Sequence, residues 1–240
     1  MPQVTEVNLE PLRCYVVGGG MNYIRMLYEA GIRGATDVED ADFVMFTGGE
    51  DVDPKFYGEK PLRGTNYNTA RDERERAIFE QAKKSGVPMV GICRGGQFLN
   101  VMSGGKLWQD VDNHAIGGVH DIEDHAYGLS HLKVTSTHHQ MMNPAEDGLI
   151  LASAARSTYR TAEGIHATVY GDNGSAGVHD DDVEVVWYDK TKCLCFQPHP
   201  EYLISTVPDE VRTMTRDYFL DLLDDYVLAA INSGSKRTRK

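Results

Sequence analysis

A chain of 240 residues with 41% hydrophobic and 25% charged residues can build one large α/β domain or two small ones. Its formal charge of −12 argues against general nucleic-acid binding, since phosphates would be repelled, and no apolar run approaches a membrane span. The N-terminal stretch MPQVTEVNLEPLR lacks the order of a signal peptide, and four cysteines in this length make no disulfide framework, so a reducing cytoplasm is the expected setting.

Along the chain, RCYVVGGG (Arg13 to Gly20) reads as a short strand ending in three glycines. NYIRMLYEAG follows with Tyr23, Ile24, Leu27 and Tyr28 at helical spacing and Gly31 as its stop. The triple glycine lacks GxGxxG and the Lys-Ser/Thr of a phosphate loop, so phosphate cradling carries little weight. ADFVMFTGGEDVDP gives a second strand, Phe43 to Phe46, running into Gly48 and Gly49. ARDERERAIFEQAKKSG then predicts a helix with a solvated charged face. Arg71/Glu75 and Asp72/Arg76 are spaced to pair at i,i+4, while Ala70, Ala77, Ile78 and Ala82 can face a sheet. Gly86 ends this helix, and Pro88 opens a buried strand from Val87 to Ile92.

The order β-α-β-α-β-α argues for an α/β fold, a doubly wound and mostly parallel sheet with helices on both faces. Ligands bind such sheets at the carboxyl ends of strands, where Gly48, Gly49 and Cys93 fall. GGKLWQDV reads as a short extended segment, and residues 114–140 as a His-rich, turn-rich stretch with little periodicity. Within it, HLKVTSTHHQ alternates as an edge or antiparallel strand would. Short strands at Leu149 to Ala152 and Ala167 to Tyr170 follow, then a hairpin of VEVVWYD and KCLCFQPHPE. Pro208 and Asp209 start a long amphipathic helix with Val211, Met214, Tyr218, Leu222 and Val227 on or near its stripe. No repeat or linker divides the chain. One domain over 1–240 is expected, ending in a disordered basic tail at 236–240.

The stretch VPMVGICRGGQFLNV organises the rest. Strand, tight Gly-x-Cys-x-Gly turn and helix make a nucleophile elbow with sulfur in place of a serine oxygen. Gly91 and Gly95 leave room for the turn, and the helix N-terminus behind Cys93 favours a thiolate. A small buried cysteine ending a core strand is the alternative. By contrast, Cys193 and Cys195 share one face of an apolar strand with no second ligand pair, which points to buried thiols.

A nucleophilic cysteine needs a base and a group to orient it. QPHPE offers His199 at a strand end, on backbone stiffened by Pro198 and Pro200, with Glu201 on the same side by alternation. Alone, a His-x-Glu is better explained by surface chance. Following a cysteine elbow in the same sheet, it becomes a candidate Cys93–His199–Glu201 triad. The oxyanion hole would come from backbone N–H groups, Arg94 just after the nucleophile and the Gly48-Gly49 turn, which in isolation reads as a plain βα connection.

Together, TGGEDVDPKFYGE, RD..E (Arg71, Asp72, Glu75), GICRGGQFLNVMSGGKLWQDV, STHHQ and QPHPE resemble the class I glutamine amidotransferase-like superfamily. Within it, the resemblance is greatest to the γ-glutamyl hydrolases that cleave γ-glutamyl-γ-aminobutyrate. It runs from about Asp42 to Glu201 and implies a doubly wound, flavodoxin-like α/β sandwich with some added antiparallel strands. It further implies Cys93 as nucleophile through a γ-glutamyl thioester, His199 as base and acid, and Glu201 as its orienting carboxylate. Gly49 and Arg94 match the backbone oxyanion donors. Gly48, Gln97, Ser136, His138 and His139 match substrate-contacting positions.

Two departures stand out. Pro198 occupies the place where the family usually has Trp or another large residue, and GIRGATDVEDADFV is shorter than the usual second βα unit. The expected reaction is cofactor-free hydrolysis of a γ-glutamyl amide, with a small γ-glutamyl substrate and neither nucleic acid nor membrane as partner. Two rivals stay open, a glutaminase subunit passing ammonia to a partner synthetase and a non-catalytic binding module. Six histidines between 114 and 139, spaced six, five, six, seven and one, match no usual zinc pattern, so they are read as structural or substrate-loop residues and no metal is expected.

Overall fold

Apolar residues alternate along the central strands and so feed two cores on opposite faces of one sheet. In Phe43–Phe46, Phe43 and Met45 pack on one face and Val44 and Phe46 on the other. In Cys193–Phe196, Leu194 and Phe196 share the first face, and Cys193 and Cys195 the second. This is the two-residue period of a strand covered on both sides. The computed structural model describes residues 10–233 apart from 113, 115–117, 156, 158, 163–164, 169–180 and 204. The tail at 236–240 and the end of the strand expected at Ala167 to Tyr170 lie outside the described residues.

The strands are β1 (Arg13–Val17), β2 (Arg33–Gly34), β3 (Phe43–Phe46), β4 (Met89–Ile92), β5 (Lys106–Trp108), β6 (Asp110–Val111) and β7 (Val119–Asp124). They continue with β8 (Leu132–Thr135), β9 (Met141–Asn143), β10 (Leu149–Ala154), β11 (Tyr159–Ala162), β12 (Ile165–Thr168), β13 (Asp182–Tyr188) and β14 (Cys193–Phe196). The main helices are α1 (Met21–Glu29), α2 (Thr69–Ser85), α3 (Arg94–Met102) and α4 (Asp209–Leu222), the last continued by a π-helical turn and α5 (Ala229–Ser233).

The main sheet runs β2-β1-β3-β4-β14-β13-β10-β7-β8, with β9 joining β13 and β5 joining β9. From β2 to β14 all neighbours are parallel; from β14 onward all are antiparallel. This mixed sheet with flanking helices is the expected α/β class. Residues of α1 and α4 join one face's core, and residues of α2 and α3 the other's. A second, three-stranded sheet of β12, β11 and β6 lies beside it.

Three details differ from the sequence reading. Strand β7 lies inside the stretch that showed little periodicity, because only Ile122 and Asp124 of its six residues are buried. In α1 the buried residues are Met26 and Leu27, while Ile24 and Tyr28 are exposed. In α2 the inward face is Asp72, Glu75, Phe79 and Ala82, and Ala70 and Ala77 are exposed.

Candidate active site

Cys93 stands between β4 and α3 with φ 51° and ψ −114°, a backbone conformation that a non-glycine residue rarely holds. The glycines around it make this possible. A Cβ at Gly91 would run into the backbone of Gly95 and Gly96, and one at Gly95 into the carbonyl of Phe46. The helix can therefore approach the sheet closely only with hydrogens at these positions. The Cys93 amide donates to the Phe196 carbonyl at 2.8 Å, and the Gln97 amide returns to the Cys93 carbonyl at 3.0 Å. The Arg94 amide thus opens α3, among the N–H groups that have no partner within a helix.

The imidazole of His199 faces this thiol. Its Nδ1 sits 2.8 Å from Glu201 Oε1, and the ring stacks on Tyr202 with centroids 4.0 Å apart. Tyr202 thereby gives the histidine an aromatic wall although Pro198 precedes it. Burial disfavours the imidazolium, but the charge and hydrogen bond of Cys93, with Glu201 behind, hold His199 well above the ordinary histidine range. Tyr23, from α1, completes the group. Its hydroxyl accepts from the Gly48 amide at 3.1 Å, and burial and then the Glu201 charge push its phenol up. A Cβ on Gly48 would stand 3.1 Å from this hydroxyl, 3.3 Å from His199 Cε1 and 3.8 Å from Cys93 Cβ. The sequence reading missed Tyr23, which looked like one more residue of an apolar stripe.

Behind the elbow lies a buried ion network. Arg94 pairs through its guanidinium with Asp72 and Glu75, and Glu75 also accepts from Arg71 Nε at 2.8 Å. Arg71 Nη2 then donates to the carbonyls of Thr47 and Gly48, 3.0 Å each. Asp72 Oδ2 takes the Asp53 amide at 2.9 Å, which ties DVDP to the same network. Burial, followed by the nearby Arg71 charge, lowers Arg94 to about 9, and burial raises the Glu75 carboxyl. The Arg71/Glu75 pair forms as the spacing predicts. Asp72 does not pair with Arg76, which turns outward to Glu73. RD..E is therefore a buried brace under the glycine turn.

A cleft of about 240 Å³ opens in front of Cys93. Gly49, Asp51, Arg94, Gln97, His138 and His139 are among its lining residues. Gly48 lies beside it. Gln97 is buried, its amide nitrogen committed to the Gln140 carbonyl at 2.9 Å and Gln197 Oε1 at 3.2 Å, so it braces the cleft wall. His139 Nε2 meets Asp51 Oδ1 at 3.1 Å, and this bond lifts the His139 imidazole despite partial burial. Ser136 does not line the cleft; its buried hydroxyl is spent on the His114 carbonyl. Cys193 and Cys195 are buried, and burial drives Cys193 up to about 12 and Cys195 well above the ordinary thiol range.

A protein-family model described as Peptidase C26 matches residues 31–201. The Schizosaccharomyces pombe protein described as "Putative glutamine amidotransferase PB2B2.05" is 28% identical over 185 residues, covering 75% of this chain and 69% of that protein. A structure described as a "putative gmp synthase subunit a protein" from Thermoplasma acidophilum superposes with a TM-score of 0.59 at 17% identity, over 92% of this chain and 98% of that one. A glutamine amidotransferase structure from Methylobacillus flagellatus gives 0.54 at 14% identity, over 97% and 98%. At these identities the structural matches speak for the fold.

Proposed function

The chain belongs to the peptidase C26 family, within the class I glutamine amidotransferase-like superfamily, and from that premise we propose that it hydrolyses a γ-glutamyl amide, glutamine or a γ-glutamyl amine, with Cys93 as nucleophile. The family's chemistry is that of amidohydrolases and amidotransferases. The observation that carries the finer reading is Cys93 on a positive-φ elbow, opposite a histidine whose other nitrogen is held by Glu201.

In this reading the Cys93 sulfur attacks the γ-carbonyl carbon, and the carbonyl electron pair moves onto oxygen. The Gly49 and Arg94 amides receive the oxyanion. As the tetrahedral adduct collapses, the C–N bond breaks, and the departing amine or ammonia takes its proton from His199. The raised imidazole suits this acid role, since it holds a proton opposite the Cys93 sulfur. His199, now neutral, takes a proton from water. The hydroxide attacks the γ-glutamyl thioester, releasing glutamate and the thiolate. Glu201 keeps Nδ1 protonated throughout, and Tyr23 bridges Glu201 and the Gly48 amide. Glu50 and Asp51 at the cleft give a place for the substrate's α-ammonium group, with His139 beside them.

Four free thiols fit a cytoplasmic setting. Among the described residues no helix is long and apolar enough to cross a membrane. The test is glutamate release from glutamine and a panel of γ-glutamyl amines, by the native chain and by Cys93→Ala. Loss of turnover and of γ-glutamyl adduct in the variant supports the mechanism; full activity there overturns it. Slow glutamine hydrolysis that rises on adding a synthase partner would place the chain among ammonia-delivering subunits.

A further inference from the structure

Four side chains from four separate stretches converge next to the cleft. They are His114 from the segment after β6, His120 on β7, His138 after β8 and Glu184 on β13. One ligand atom from each lies within 4.8 Å of all the others. His114, His138 and Glu184 are buried, and the His120 side chain is 13% exposed. The closest approaches are His114 Nδ1 to Glu184 Oε1 at 3.2 Å, His138 Nε2 to the same oxygen at 3.4 Å, and His120 Nε2 to Glu184 Oε2 at 3.5 Å. Yet all five inward-facing atoms, three ring nitrogens and both carboxylate oxygens, are buried without a hydrogen-bond partner.

The outer hydrogen bonds fix what those nitrogens present. His138 Nδ1 is 3.0 Å from the Gln140 carbonyl, which only accepts, so Nδ1 carries the proton and Nε2 offers a lone pair. His114 Nε2 is 2.6 Å from Asp182, a carboxylate that also takes the Ser157 amide at 2.7 Å and the Arg160 guanidinium. In the neutral ring the proton sits on Nε2, facing Asp182, and Nδ1 turns a lone pair inward. Two lone pairs directed at a buried carboxylate repel it unless a cation stands between them. An extra proton would serve one contact only and needs an aligned N–H···O, which none of the three contacts has. A tetrahedral ion with ligands at about 2.0–2.1 Å has ligand–ligand edges of roughly 3.3 Å, close to the three histidine–carboxylate spacings; the set as a whole lies within 4.8 Å and would close slightly around an ion. The carboxylate behind His114 and the carbonyl behind His138 accept from the outer ring nitrogens, as such groups do behind metal-bound imidazoles.

We propose that His114, His120, His138 and Glu184 form a closed tetrahedral Zn²⁺ site that anchors the 136–140 wall of the cleft to β7 and β13. Three imidazoles and one carboxylate suit zinc, and four protein ligands make the site structural, with no position left for a substrate. His138 lines the cleft that holds Cys93, so the ion would set that wall's position. The histidine spacing matches no usual zinc pattern because the fourth ligand comes from β13, which the sheet brings back.

The experiment uses the full chain carrying Cys93→Ala, so that the cysteine at the cleft cannot bind zinc, the other three being buried, and the outcome is independent of turnover. The chain is stripped with a chelator, reconstituted with zinc chloride, desalted and analysed for metal. About one zinc per chain is expected, with a higher melting temperature than the stripped protein. His120→Ala and Glu184→Gln should bind zinc at least about 100-fold more weakly, since losing even a group that only orients a ligand costs about 10–100-fold. His131→Ala, whose ring is solvent-exposed, should bind as the parent does. Should the ligand variants misfold, cobalt added to the stripped parent decides. Intense visible bands of a tetrahedral ion support the site; a weak octahedral spectrum overturns it. So does a folded parent that retains less than about 0.1 zinc per chain, or a folded His120→Ala that retains the parent's zinc content and affinity.

Discussion

The Thr135 hydroxyl holds the backbone of His199 from both sides, accepting from its amide at 2.8 Å and donating to its carbonyl at 3.0 Å. Thr135 ends the edge strand β8, and its own amide donates to Thr215 Oγ1 of α4 at 3.1 Å. The candidate base is thus placed by an edge strand far from it in sequence, itself tied to α4. Thr135→Val keeps the shape and removes the hydroxyl, leaving the His199 amide unpaired at about 1–3 kcal/mol and its carbonyl with only the Tyr202 amide, at 3.4 Å. A fall in urea midpoint and in kcat, with a smaller change in KM, is expected. Thr135→Ser should restore both. Wild-type turnover in Thr135→Val would show that His199 needs no such clamp.

The charge on His199 gives a pH signature. Its folded value lies well above the ordinary one near 6.5, despite burial, because Cys93 and then Glu201 favour the imidazolium. A raised group contributes stability that is fully present below the unfolded value, about 6.5, and is lost as pH rises through the folded value. In Cys93→Ala the leading favourable interaction is gone, so the imidazole should titrate lower, and the loss of stability, which still begins near the unfolded value, should be smaller and complete at lower pH. Histidine ¹⁵N chemical shifts and urea midpoints followed from pH 6 upward check both. Identical His199 titrations in the two proteins would show that Cys93 does not favour the imidazolium.

The buried brace under the glycine turn should dominate stability on α2. Asp72→Ala leaves the Arg94 guanidinium buried with one partner fewer, and breaking such a pair costs about 3–5 kcal/mol. For a chain of this length that is a fall in melting temperature of roughly 10 °C. Glu73→Ala, one position on, removes only exposed contacts to Lys55 and Arg76 and should stay within about 0.5 kcal/mol. Calorimetry on the two variants separates the buried charge from its exposed neighbour. Equal melting temperatures would contradict the brace.

These residues also mark where the sequence is legible. Strands β3, β4 and β14, the elbow and the His199–Glu201 pair announce themselves because strand alternation, glycine punctuation and proline-stiffened backbone are local properties. Asp72 and Glu75 mislead because a buried carboxylate has the same letter as a solvated one; only Arg94, arriving from α3, reverses the meaning of that helix face. Tyr23 and Thr135 are invisible for a related reason. Each acts on the candidate site through one hydroxyl, and nothing nearby in sequence shows what that hydroxyl meets. Ser136, assigned to substrate by its place in STHHQ, is turned instead to the His114 carbonyl.

Gly49 offers the most direct test of the oxyanion hole. Its φ of 141° is a conformation that side chains rarely adopt, and a Cβ there would collide with Arg71 Nη1. Arg71 cannot easily yield, because Nη2 holds the Thr47 and Gly48 carbonyls and Nε holds Glu75. Gly49→Ala should therefore swing the Gly49 amide away from the developing oxyanion, and loss of one such donor lowers kcat by about 10²–10³-fold. Gly19→Ala is the matched comparison. Gly19 also has positive φ, 72°, but a Cβ there meets nothing within 4 Å, so it should cost about 1–2 kcal/mol of backbone strain and leave kcat unchanged. Single-turnover rates with a γ-glutamyl amide, measured on folded samples of both, distinguish lost chemistry from lost stability. If Gly49→Ala keeps the native rate while Gly19→Ala behaves as stated, the oxyanion must be received elsewhere.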